Sequence, residues 1–79
     1  MIPKERVLDK LDSLLRANDY AGAKRLLQYW LSEAECTSDR HGSLLMKNEL
    51  MGLCRKLGEK EQAEVILMDL MEQWENAQS

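Results

Sequence analysis

Apolar residues in this chain recur three and four positions apart through four successive stretches, a spacing that amphipathic helices require and a pleated sheet does not. The first stretch, about Pro3 to Ala17, carries Val7, Leu8, Leu11, Leu14 and Leu15. The second, about Tyr20 to Glu35, carries Ala23, Leu26, Leu27, Trp30, Leu31 and Ala34. The third, about Arg40 to Leu57, carries Leu44, Leu45, Leu50, Met51, Leu53, Cys54 and Leu57, and the fourth, about Lys60 to Asn76, carries Ala63, Ile66, Leu67, Leu70, Met71 and Trp74. A sheet would draw on β-branched side chains, and the whole chain offers only Val7, Val65, Ile2, Ile66 and Thr37. The fold class expected is all-α.

The breaks between stretches carry turn chemistry. Pro3 suits a first helical turn, where its missing N–H costs nothing. Asn18 suits a left-handed helix end and Asp19 the cap of the next helix. Cys36-Thr37-Ser38-Asp39 is a loop-like cluster in which Ser38 or Asp39 caps the third helix, and Gly58 closes that helix. Very short connections after the first and third helices make each an antiparallel pair. The expected architecture is two helical hairpins in series, forming one domain over residues 1–79. A chain of this size buries only about 60% of its unfolded surface, so its core is thin.

The hairpins match one another at a shift of 40 residues. Asn18-Asp19 falls on Gly58-Glu59, Ala23 on Ala63, Leu26 on Ile66, Leu27 on Leu67, Leu31 on Met71 and Glu35 on Glu75. Upstream, Leu11 falls on Met51, Leu14 on Cys54 and Arg16 on Lys56. These are positions a packed hairpin constrains: a turn that tolerates a left-handed residue, and a small alanine where two backbones approach.

The turn, the following alanine and the apolar residue four positions on resemble the tetratricopeptide repeat, in a long-period form like that of kinesin light chains. Asn18-Asp19-Tyr20 with Ala23 and Leu27 carries one copy; Asn48-Glu49-Leu50 and Gly58-Glu59 with Ala63 and Leu67 carry the other. The pattern departs from the family in its period, in Trp30 and Leu70 where a small residue is usual, and in lacking the closing proline. The resemblance implies a short right-handed α-solenoid of repeats at about 3–36 and 40–77, in which neighbouring hairpins cover each other's apolar stripes. It also implies a non-enzymatic module that binds a peptide or helix of a partner protein.

In this family the first helix of each hairpin lines a concave groove. Helical spacing puts Asn48, Gly52 and Arg55 on one stripe, with Lys56 and Leu45 beside it, and Glu5, Leu8, Asp12 and Leu15 on another, with Arg16 beside it. The resemblance suggests a clamp for a peptide carboxylate at Asn48, Arg55 and Lys56; a plain solvated helix face accounts for the same residues. A second candidate surface is the flank of the fourth helix at Val65 and Met68, which widens the apolar face beyond what one hairpin covers. Three readings stand for it: self-association into a symmetric dimer, an N-terminal part of a longer repeat protein, or deep packing of the fourth helix.

Several function classes lose support. A net charge of −3 opposes a nucleic-acid partner. The alternative of a small regulatory or DNA-associated helix-turn-helix domain would need Arg40, Lys47, Arg55 and Lys56 as its recognition face, and these are dispersed and interrupted by Glu49. No apolar run approaches the ~20 residues that span a bilayer, and the first residues lack a signal-like apolar segment. A cytoplasmic location with no membrane partner is the expectation. Cys36, His41 and Cys54 match no zinc spacing, and His41 reads as a surface residue at a helix start. No phosphate loop or nucleophile motif is present, so neither an enzyme nor a cofactor is expected.

Overall fold

The computed structural model describes residues 2–78, which form four α-helices: α1 (Lys4–Arg16), α2 (Tyr20–Cys36), α3 (Arg40–Lys56) and α4 (Lys60–Gln78). No strand occurs among the described residues. Helix α1 starts one residue later than the spacing suggests. Pro3 stands just outside it as the capping residue, its carbonyl accepting from the Val7 N–H at 3.0 Å, while the Ile2 N–H donates to the Asp39 carboxylate at 3.0 Å.

All three connections are built alike. Asn18, Ser38 and Gly58 take left-handed backbone angles, with φ of 59°, 57° and 78°. The next residue in each case, Asp19, Asp39 or Glu59, donates its N–H at 2.8 Å to a carbonyl five residues back: Leu14, Ala34 or Cys54. This six-to-one closure at a left-handed residue satisfies carbonyls that a helix end leaves orphaned. Asp19 and Asp39 then turn their side chains onto the N–H groups of Gly22 (2.9 Å) and Gly42 (3.1 Å), capping α2 and α3. Ser38 therefore ends α2 while Asp39 starts α3. A Cβ at either glycine would fall within 2.4–2.5 Å of the capping carboxylate as placed, so a larger residue there would make the Asp side chain shift. The turn geometry thus recurs every 20 residues, twice as often as the side-chain match at 40.

With all connections equally short, consecutive helices pack antiparallel, α1 on α2, α2 on α3 and α3 on α4. The Cα thickness of 15 Å suits two staggered rows, since interaxial spacings of about 8–10 Å plus the Cα cylinder give roughly 14 Å. Helices α1 and α3 share one row, α2 and α4 the other. The core runs through Ile2, Val7, Leu11, Ala23, Leu27, Ala34, Met46, Leu50, Leu53, Cys54 and Ala63. Helix α3 lies at its centre and buries Gly42, Ser43, Met46 and Lys47, none of which the apolar spacing singled out. Leu44 and Leu45 are only half-buried, and Leu57, just past the end of α3, is exposed.

The largest departure is in α4. Ala63 is buried and Ile66, Leu67 and Leu70 are half-buried, but Met71 and Trp74, expected in the core, stand exposed. The reason is positional: α4 has a packed neighbour on one flank only.

Two outcomes test these turns. Ser38 is a non-glycine residue held in the left-handed region and makes no side-chain hydrogen bond among the described residues, so Ser38→Gly should stabilise the fold by about 1 kcal/mol in urea denaturation. The Asp39 carboxyl is held below its usual value of 3.8 by accepting the Ile2 and Gly42 N–H groups. A lowered folded-state pKa gives stability that is present above pH 3.8 and lost as pH falls further. Asp39→Asn, which keeps a capping oxygen, should show a smaller fall in melting temperature than the parent when pH is lowered from neutral to about 2.

Candidate interaction surfaces

The α1/α3 face holds the groove residues expected from the repeat pattern, and the structure brings only some of them together. A small cleft of about 140 Å³ is lined by Leu11 and Leu15 of α1 and Glu49, Gly52, Leu53 and Lys56 of α3. Asn48 and Arg55 are exposed outside it, and Leu45 packs half-buried against the core. Arg16 is paired with Asp12 one turn earlier, at 3.0 Å on the surface. The Lys56 ammonium sits 5.3 Å from the centre of the Tyr20 ring, a cation–π arrangement. The expected carboxylate clamp is therefore dispersed: Lys56 lines the cleft but is engaged with Tyr20, and Asn48 and Arg55 lie outside the lining.

A larger groove of about 430 Å³ opens on the opposite face, where Lys24 and Gln28 of α2 and Glu61, Gln62, Val65 and Ile66 of α4 flank Leu50 and Cys54 of α3. Lys24 spans its edge, donating to both Glu59 oxygens (3.0 and 3.1 Å) and to Gln62 Oε1 (3.1 Å). Glu59 occupies the position from which Asp19 and Asp39 cap their helices, but its carboxylate ties α4 to α2 instead. Cys54 lies at the floor of this groove, and burial pushes its thiol up from the ordinary value, which disfavours the thiolate.

A second cross-helix tie was not legible in the sequence. Lys47, buried in the α3/α4 contact, pairs with Asp69 of α4, which also accepts from Gln73 Nε2 at 3.3 Å. A lysine within a polar-looking stretch gives no sign that it faces inward. Its partner lies on another helix.

The third surface is the outer face of α4. Val65, Met68, Met71 and Trp74 are 67%, 69%, 54% and 63% exposed. The expected edge at Val65 and Met68 therefore extends by two further large side chains, and deep packing of this helix is ruled out. A shallow depression of about 550 Å³ runs between Val65, Met68, Asp69, Met71, Glu72 and Glu75.

No family model, curated protein or solved structure matches the chain. His41 is exposed at the second position of α3, and the two cysteines are unpaired, Cys36 exposed and Cys54 buried. Among the described residues no group of three or more His, Cys, Asp or Glu side chains is placed to hold a metal ion, and no helix is long and apolar enough to cross a membrane.

The Lys47–Asp69 pair gives an asymmetric prediction. Asp69→Ala leaves the buried ammonium without its partner and should cost about 1–2 kcal/mol, less than a fully buried pair because Asp69 is partly solvated. Lys47→Met removes the charge and keeps the stem's packing, and should cost less than about 1 kcal/mol in the same urea titration.

Proposed function

We propose that this chain is a non-enzymatic protein-interaction module of the tetratricopeptide type, holding a partner through helix-on-helix packing. The observation that carries the proposal is the outer face of α4, where four large apolar side chains stand more than half exposed on one helix. Isolated exposed apolar residues are ordinary, but a contiguous set that includes a tryptophan and two methionines has the character of a binding surface. Fully burying a side chain of this size is worth about 1.5–3 kcal/mol, so covering this face supplies several kilocalories toward association. Tryptophan is also among the residues that most often dominate such contacts.

The peptide-clamp variant on the α1/α3 face, through Asn48, Arg55 and Lys56, has less support. Its cleft is small, and two of the cations near it, Arg16 and Lys56, are engaged within the chain. The helix-turn-helix alternative is weaker still, because Lys47 is turned into the α3/α4 contact and Lys56 covers Tyr20. A cytosolic setting accords with two unpaired cysteines.

Val65 and Met68 contribute little to the fold itself, so Val65→Ser with Met68→Ser should leave stability within about 0.5 kcal/mol of the parent. In affinity capture, that double variant should lose the partner that the parent retains, while Asn48→Ala with Arg55→Ala should keep it. Loss in the second variant and not the first would move the binding surface to the α1/α3 face.

A further inference from the structure

Helix α4 carries a pattern of charge among its exposed apolar residues that restricts what can cover it. Advancing 100° per residue, Trp74, Met71, Met68 and Val65 form a row that winds half-way round the helix, with Glu64 and Glu75 at angles between Met71 and Met68 and Glu61 and Glu72 at angles between Met68 and Val65. All four glutamates are exposed. Among the described residues none of them enters an ion pair, and α4 has no basic residue after Lys60. The strip is thus apolar and anionic at once.

The shape of the missing cover follows from the repeat. At a shift of 40 residues, Leu27, Leu31 and Ala34 of α2 correspond to Leu67, Met71 and Trp74 of α4. In α2, which lies between α1 and α3, Leu27 and Ala34 are completely buried. In α4 the corresponding positions have no second helix over them, and Met71 and Trp74 are open. The repeat comparison points to a helix as the cover for Met71 and Trp74, whereas Val65 and Met68 match Arg25 and Gln28, which stay exposed on α2.

We propose that the occupant of the α4 face is an amphipathic helix of a partner protein whose apolar stripe is flanked by lysine or arginine. Charge complementarity selects it over a second copy of this chain. A twofold contact through α4 centred between Met68 and Met71 would set Glu64 of each copy against Glu75 of the other, and like charges desolvated together oppose association. Lysine or arginine beside the partner's stripe neutralises Glu61 and Glu72, and cations at its two ends meet Glu64 and Glu75, which lie about one turn beyond Met68 and Met71 along the axis; the stripe itself covers Met68, Met71 and Trp74. This proposal rests on the α4 reading given under Proposed function and adds the chemistry of the partner.

The test uses the whole chain and two synthetic helical peptides of about 18 residues, roughly five turns. Both carry leucine at positions three and four apart; one has lysines flanking that stripe and the other has glutamates there. Calorimetric titration should show the lysine peptide binding at least about tenfold tighter, with affinity falling as salt is added. Met68→Ser with Met71→Ser should abolish that binding, and Glu64→Lys with Glu75→Lys should reverse the preference between peptides. Equal affinity for both peptides overturns the cationic partner while leaving α4 as a binding face. Self-association of the chain in sedimentation, broken by Met68→Ser, overturns it in favour of a second copy. Failure to bind either peptide, or binding indifferent to the methionine variant, overturns both this proposal and the α4 reading beneath it.

Discussion

One residue in each connection ends a helix and begins the next, and the architecture depends on that economy. The N–H of Asp19, Asp39 or Glu59 satisfies a carbonyl of the helix behind it, across a left-handed Asn18, Ser38 or Gly58. At the first two turns the carboxylate then caps the helix ahead. No residues remain for a wandering loop. Each helix must fold straight back on its predecessor, and the chain becomes a stack in which every helix is covered mainly by its neighbours in sequence. An end helix of such a stack has one flank bare.

The same geometry explains how a thin core is held in register. Asp39 accepts from Ile2 and so ties the start of α1 to the start of α3, while Ile2 packs close to Gly42. Lys24–Glu59 ties α2 to the beginning of α4, and Lys47–Asp69 ties α3 to its middle. These contacts join helices that are adjacent or one apart, and they are directional where apolar packing is not. With a packed neighbour on one flank only, α4 is held by Ala63, its half-buried Ile66, Leu67 and Leu70, and the two ion pairs, and its remaining apolar residues are left to solvent.

Helix number, approximate bounds and the first and third turns were legible because periodicity and turn chemistry are local signals. The middle turn was half legible: Ser38 and Asp39 were both candidates for the cap, and only the backbone shows that Ser38 takes the left-handed angle that leaves Asp39 free. The burial of Lys47, the diversion of Glu59 from capping and the anchoring of Ile2 depend on partners 22, 35 and 37 residues away, and no local pattern encodes such pairings. Met71 and Trp74 misled because the stripe they continue is buried in α2, whose other side α3 covers; the residues obey the same pattern, but among the described residues no second helix packs over them in α4. Of the site, Val65 and Met68 were legible as a surplus of apolar residues, whereas the glutamates among them read as ordinary surface until the strip was seen to be open.

The central claim is that the bare face of α4, with its apolar residues set among carboxylates, is where another helix docks. Amide chemical-shift mapping on the isotope-labelled chain, titrated with a lysine-flanked amphipathic peptide, tests it most directly. The account predicts shifts concentrated at residues 64–75, with the Trp74 indole among the most affected and Trp30 little changed. Shifts centred instead on Leu11, Leu15, Gly52 and Lys56 would contradict it.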